Sequence, residues 1–220
     1  MRSALLALLV LTVAVPGVAL GLTITDTATG SLTPSVAPFD QNVLNGDFLI
    51  LSNLGCVPQV ACPTGDGSDE TTVWTFDFTA DPDFPSFPPG GPLVSAALTL
   101  TLTPKNGLIT TDLVRIEGLA NIITPVIQGL PVDVTSTISL ELLDFYSSGD
   151  ILGILGANAG QLPMVYGDDS IVSFARMDLS VPEPSILFVL ASGLAGAAAR
   201  GWATCRRRAS RQHTKTGGIA

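Results

Sequence analysis

The stretch ALTLTLT, residues 97–103, sets leucine and threonine in strict alternation after its first alanine. Side chains of an extended chain point to opposite faces in turn, so the three leucines share one face and the three threonines the other. Threonine is β-branched and favours the pleated surface of a sheet. The stretch therefore predicts a half-buried β-strand.

Other stretches repeat this period of two and predict strands at residues 72–79, 136–142 and 170–181. The side chains expected to face the core in these strands are Trp74, Phe76, Phe78, Ile138, Leu140, Leu142, Ile171, Ala175, Met177, Leu179 and Val181. Weaker strand patterns occupy residues 22–28, 47–53, 112–118 and 120–127.

Turn-forming residues separate the predicted strands. The segment DPDFPSFPPGGP, residues 81–92, holds five prolines and two glycines and must be a surface connection. The sequence PKNG at 104–107 is a tight-turn signal, and one short helix fits residues 150–160. Seven or eight strands without alternating helices predict an all-β, antiparallel β-sandwich or jelly roll over residues 22–180.

The N-terminal segment, residues 1–21, has the layout of a secretory signal peptide. Arg2 precedes a long apolar run, and small residues at Ala19 and Gly21 offer cleavage positions. The alternative is a buried helix of a globular domain. Export through the general secretion machinery is the expectation, because the apolar run begins at the N-terminus behind one basic residue.

A second apolar segment, residues 186–205, predicts a transmembrane helix. Its 20 residues span roughly 30 Å as a helix, which matches the hydrocarbon core of a bilayer. Arg200 lies near one end, where its side chain reaches the interface. The cluster Arg206, Arg207 and Arg208 follows and predicts that residues 209–220 stay cytoplasmic. A buried core helix is the alternative.

The charge distribution argues against nucleic-acid binding. All 19 acidic residues lie between Asp26 and Glu183, where only Lys105, Arg115 and Arg176 are basic. Three basic against nineteen acidic residues give this region a net charge of −16. Nucleic-acid binding requires a basic surface, so nucleic acid is not an expected partner.

No catalytic constellation stands out in the exported region. The only histidine, His213, lies in the C-terminal tail, which removes Ser-His-Asp and Cys-His arrangements. Pairs of carboxylates that could hydrolyse glycosides stay open as an alternative, since only geometry decides between them. We expect a protein that is not an enzyme.

The cysteines fit an oxidising compartment. Cys56 and Cys62 bracket five residues and predict a disulfide that closes a small loop, with two free thiols as the alternative. A zinc ribbon needs a second ligand pair, which the chain lacks. Cys205, beside the arginines, would be a cytoplasmic thiol.

The segment GDGSDE, residues 65–70, carries the best predicted metal site. Side-chain oxygens on a flexible loop are the ligands that Ca²⁺ takes. The candidate calcium ligands are Asp66, Ser68, Asp69 and Glu70, and two weaker acidic pairs are Asp81–Asp83 and Asp168–Asp169. The alternative is a set of solvated loop carboxylates that keep an exported domain soluble.

Carbohydrate binding is a further alternative for a β domain. Sugar sites commonly present aromatic side chains, and these are scarce here. The aromatic residues left open for such a platform are Tyr146, Tyr166, Phe84 and Phe87.

The C-terminal features together resemble the PEP-CTERM sorting signal of exported bacterial proteins. The resemblance covers residues 181–208: VPEPS, then an apolar segment containing ASGLAGAAA, then RRR. It implies recognition of Pro182, Glu183 and Pro184 by exosortase, a membrane-embedded enzyme similar to a transpeptidase. The helix and the arginines would hold the precursor in the inner membrane until processing.

The resemblance also implies a location and a role. The family is associated with Gram-negative bacteria that make exopolysaccharide and biofilm. The expected product is therefore a cell-surface or extracellular-matrix protein. The alternative is a calcium- or carbohydrate-binding module that recognises matrix polysaccharide.

Overall fold

Nine β-strands make up most of the fold within residues 21–52, 63–87, 91–107 and 112–182, which the computed structural model describes. They are β1 (Leu22–Thr29), β2 (Val43–Asn45), β3 (Phe48–Ser52), β4 (Glu70–Asp77), β5 (Ser95–Pro104), β6 (Leu113–Ile116), β7 (Ser136–Glu141), β8 (Gln161–Asp168) and β9 (Ser170–Val181). The helices are α1 (Pro125–Gln128) and α2 (Ser148–Ala157), with 3₁₀ turns at Phe78–Ala80, Phe84–Ser86 and Leu142–Asp144.

The strands form two antiparallel sheets. The four-stranded sheet has the order β1-β9-β5-β7, and the five-stranded sheet has the order β2-β3-β4-β8-β6. Residues Gly21–Pro182 make one compact unit. The predicted all-β, antiparallel class is confirmed.

The alternating leucine–threonine stretch at residues 97–103 lies in β5, between β9 and β7. Its three leucines, Leu98, Leu100 and Leu102, are each 0 % exposed. They share one buried cluster with core-facing residues of the five-stranded sheet, including Phe48 and Phe76. Burial of apolar side chains from both sheets is the dominant force that stabilises such a fold.

A chain of aromatic rings crosses the core along β4. The centroid of the Trp74 ring lies 5.5 Å from that of Phe48 and 6.1 Å from that of Phe76, both in edge-to-face geometry. Phe78 is also buried, but it lies beyond the strand, because Asp77 accepts a hydrogen bond from the Thr79 amide and caps a 3₁₀ turn. The strand predicted to reach residue 79 therefore ends earlier.

A bulge in β9 changes one predicted orientation. The pairing with β5 shifts so that Leu102 lies opposite Val172, and Thr103 lies opposite Ile171. Val172 thus joins the core beside Ala175, whereas Ile171 is buried on the opposite face. Ile171 is buried as predicted, but the strict alternation places Val172 on the wrong side, because an inserted residue reverses the alternation of sides.

The strand predicted at residues 120–127 is also wrong. Only Ile122 pairs there, in an isolated bridge with Val114. The Thr124 side chain accepts a hydrogen bond from the Val126 amide, and Pro125 occupies the first turn of α1. A threonine cap followed by proline favours a helix start over a strand.

Two of the observed strands form from segments whose sequence does not predict a strand. β2 has only three residues, and β8 contains Pro163 and Gly167, which normally argue against a strand interior. The Pro163 carbonyl accepts the Glu117 amide at the end of β6. The nitrogen of Pro163 points to the β6 side of β8, like its carbonyl, and lies beyond Ile116, the last residue of β6. Proline is tolerated there because β8 needs no strand hydrogen bond from this nitrogen.

The predicted short helix forms as α2. Ser147 Oγ accepts the Asp150 amide, and the Asp150 carboxylate accepts the Ser147 amide, which makes a capping box. Ile151 and Leu155, four positions apart, are buried on one face of the helix.

Gly46, in the turn between β2 and β3, is expected to be sensitive to substitution. Its φ is +63°, and a Cβ atom there would overlap the Thr29 carbonyl oxygen. Gly46→Ala should therefore cost about 1–3 kcal/mol in the free energy of unfolding, measured by urea titration. Gly153→Ala in α2 is the control, because a Cβ there meets no atom and should stabilise the helix by about 0.5–1 kcal/mol. Equal effects of the two changes would contradict this account of the turn.

Within the described residues, no helix combines the length and apolarity that a membrane crossing requires. The helix predicted at residues 186–205 lies outside them, as do residues 1–20 of the predicted signal peptide.

Candidate functional site

The two ends of the β domain lie side by side. β1 and β9 pair along eight positions, from Leu22 opposite Val181 to Thr29 opposite Phe174. The exposed Pro182 follows directly. The predicted sorting motif therefore begins one residue after the last strand ends, while its remaining residues and the basic cluster, Glu183, Pro184, Arg206, Arg207 and Arg208, lie outside the described residues.

The acidic loop before β4 is tightly folded on itself. Three of its residues, Gly65, Gly67 and Asp69, have positive φ values. A side chain at Gly65 would overlap the Ser35 carbonyl oxygen. The Asp66 carboxylate accepts the Ser68 amide at 3.0 Å. The loop geometry is thus set by glycine conformation and by its own side chains.

The side chain of Glu70 turns into this loop and holds it by hydrogen bonds. Its side chain is 3 % exposed, and Oε1 accepts the backbone N–H groups of Gly65 and Asp66. Burial raises the pKa of Glu70 to about 7, and the nearby charge of Asp66 adds to the rise, while the backbone hydrogen bonds oppose it. This carboxyl is therefore partly protonated near neutral pH.

A second carboxylate ties the loop to the neighbouring connections. Asp169 Oδ1 accepts the Asp69 amide at 2.8 Å and the Asn106 side-chain amide at 3.1 Å. The Asp169 amide donates to Asp112 Oδ1 at 3.0 Å, and the Lys105 amide donates to the Asp169 carbonyl at 2.9 Å. Asp112 is fully buried, so these contacts satisfy carboxyl oxygens and backbone amides inside the fold.

These contacts bear on the predicted calcium ligands. The carboxyl groups of Asp66 and Glu70 accept hydrogen bonds from backbone amides of their own loop, and the Asp69 amide donates a hydrogen bond to the Asp169 carboxyl group. Of the weaker pairs, Asp81 accepts the amides of Thr25 and Asp83, each at 2.8 Å. The described part of the chain contains no group of three or more His, Cys, Asp or Glu side chains placed to hold a metal ion. Calcium binding stays a prediction.

The aromatic residues left open for sugar binding are mostly buried. Tyr146, Tyr166 and Phe87 all belong to the core, and the Tyr146 hydroxyl donates to the Ala120 carbonyl at 2.6 Å. Phe84 and Phe87 line an apolar pocket of about 440 Å³ beside α2. Carbohydrate recognition stays a prediction, and these rings do not form an exposed platform for it.

The predicted disulfide partners Cys56 and Cys62 lie in residues 53–62, outside the described part of the chain. Their pairing stays a prediction.

A groove of about 730 Å³ runs along β1 and over the face of the five-stranded sheet that points away from the core. Three carboxylates and three aliphatic side chains contribute to its lining: Asp26, Asp47, Glu117, Leu49, Leu51 and Val73. Leu49 is 36 % exposed there. Sequence reasoning misses this site, because its residues come from distant segments and no local spacing marks them.

No protein-family model, curated protein or solved structure matches this chain.

Proposed function

We propose that this chain is an exported, non-enzymatic β-sandwich protein of the cell surface or extracellular matrix, sorted through its C-terminal segment. The proposal rests on three features that follow one another directly along the sequence. VPEPS at 181–185 begins at the last residue of β9, an apolar segment follows at 186–205, and three arginines come next.

In this proposal the signal peptide exports the chain, and the C-terminal helix stops it in the inner membrane. The two prolines keep Glu183 in an extended backbone, because proline fixes its own φ and disfavours a helical conformation in the residue before it. An extended segment at the membrane surface is accessible to a membrane enzyme such as exosortase. The processed domain then joins the exopolysaccharide matrix.

The packing at the end of β9 is compatible with such processing. Val181 is fully buried and pairs with Leu22, whereas Pro182 is exposed. Cleavage after the motif would leave intact every strand pair and the buried core that the structure describes within residues 21–182. The domain would therefore keep its fold once its membrane segment is removed.

The test replaces the motif residues Pro182, Glu183 and Pro184 together by alanine in the native host. We expect the variant to keep the mass of the precursor and to stay in the inner-membrane fraction, because the enzyme no longer recognises it. Mass spectrometry of the C-terminus and cell fractionation provide the measurements.

Ser185→Ala is the matched control, since it lies next to the motif and leaves it unchanged; it should be processed normally. A triple variant with the mature mass and the surface location of the unaltered protein would refute sorting through this motif.

A further inference from the structure

The groove exposes a strand edge where the five-stranded sheet is incomplete. β3 pairs with β4 only over Glu70–Val73, although β4 continues to Asp77. Beyond Val73 the described residues supply no strand partner on that side of β4. There the Asp77 amide donates instead to the Asp26 carboxylate of β1, at 2.5 Å.

The main-chain groups of Thr75 point into this gap. Thr75 lies opposite Pro163 of β8, which has no N–H and whose carbonyl is directed to the Glu117 amide on its far side. Residues of an antiparallel pair either exchange both hydrogen bonds or neither. The N–H and C=O of Thr75 therefore face away from β8, on the same side as the Asp77 amide.

β1 presents a matching edge on the other side of the groove. The Thr25 amide donates to Asp81 and the Thr29 amide to Asp47, at 2.8 and 2.7 Å, on the side away from β9. Residues two positions apart in a strand direct their amides to the same edge. Thr27, between these two capped positions, therefore also turns its N–H and C=O toward the groove.

The charge of the groove selects the partner. Asp26, Asp47 and Glu117 line it, and none of the described residues that line it is a lysine or an arginine. Leu49 and Val73, opposite each other in register, provide an apolar strip beside these carboxylates. A strand edge needs alternating donors and acceptors from its partner, which a peptide main chain supplies.

We infer that this groove binds an extended peptide segment of a partner protein that carries lysine or arginine side chains, through strand addition to β4 at Thr75. Its apolar side chains would cover Leu49 and Val73, and its cationic side chains would meet the carboxylates. The inference does not depend on how the chain is sorted.

The probe is a fluorescein-labelled hexapeptide with blocked ends, in which lysine and valine alternate. Its binding to the full chain, purified in a non-ionic detergent, is followed by fluorescence anisotropy. We expect saturable binding that weakens with added salt, and no binding of the matching peptide of glutamate and valine.

Two variants separate groove binding from general attraction to an acidic protein. Glu117→Lys should weaken binding about tenfold, because it places a cation beside the cationic peptide. Asp144→Lys makes the same charge change at an exposed position away from the groove and should change the affinity by less than about twofold. Thr75→Pro removes the main-chain donor and should abolish binding, with circular dichroism as the check on folding.

Several results would overturn the inference. They are a lack of saturation at millimolar peptide, equal binding of the acidic peptide, or equal weakening by Glu117→Lys and Asp144→Lys. Full affinity in a folded Thr75→Pro variant would exclude strand addition. Displacement of the peptide by native exopolysaccharide from a site insensitive to Glu117→Lys would point to sugar as the ligand.

Discussion

Phe76→Ala is expected to lower the free energy of unfolding by about 3–5 kcal/mol. The Phe76 side chain is 0 % exposed, and its ring lies between those of Trp74 and Phe78 in the shared core. Truncation loses the apolar transfer energy and leaves a cavity that the close-packed strands cannot fill. For a domain of this size, the loss is a large fraction of total stability.

Urea unfolding followed by circular dichroism measures this loss. Phe145→Ala is the matched control, since that phenylalanine is 45 % exposed and should change the free energy of unfolding by less than about 1 kcal/mol. Similar losses for the two variants would mean that the ring cluster on β4 is not central to the core.

The second large effect concerns pH and Glu70. Its folded pKa of about 7 lies above the ordinary value of 4.5, so the folded state binds this proton more tightly than the unfolded state. Glu70 therefore favours folding fully below about pH 4.5, and this contribution is lost as the pH rises through about 7. The whole change is about 3 kcal/mol.

Two other carboxyls act in the opposite direction at lower pH. Hydrogen bonds from the Thr79 and Gln161 side chains lower the pKa of Asp77. Burial raises the pKa of Glu141, but hydrogen bonds from Ser95 and the Ala96 amide outweigh it and lower the value. Their contributions are lost as the pH falls through their folded pKa values. We therefore expect maximal stability in mildly acid solution.

Glu70→Gln tests this expectation. Glutamine keeps an oxygen acceptor for the Gly65 and Asp66 amides but carries no titrating charge. Urea titrations between pH 5 and pH 8 should show a falling stability for the unaltered protein and a flatter profile for the variant, which should be the more stable at pH 8. Asp144→Asn, at an exposed carboxylate, should leave the profile unchanged. Identical profiles for Glu70→Gln and the unaltered protein would contradict the role of Glu70.

Alternation of apolar and polar residues predicts strands well where the ladder is regular. The leucines of β5 and the predicted core residues Trp74 and Phe76 are buried as expected. Alternation misplaces Val172, where a bulge reverses the faces, and it does not predict β8, because Pro163 normally argues against a strand. Both failures have the same cause, since pairing between distant segments decides which local pattern is tolerated.

The acidic loop illustrates a different limit. The spacing in GDGSDE predicts oxygen ligands, but it does not reveal that Glu70 turns inward to its own loop amides. The groove is even harder to predict from the spacing of residues in the sequence. Asp26, Asp47 and Glu117 meet only because β3 is short and β1 borders the exposed end of β4, which are properties of the topology.

The position of β9 has a mechanical consequence. The strand nearest the C-terminal segment lies inside its sheet, with eight paired positions to β1 and ten to β5. A pull directed along the axis of β9 would load both ladders in shear, so many hydrogen bonds would have to rupture together. A protein tethered from this end would resist flow and traction far better than one tethered through an edge strand, which peels open one bond at a time.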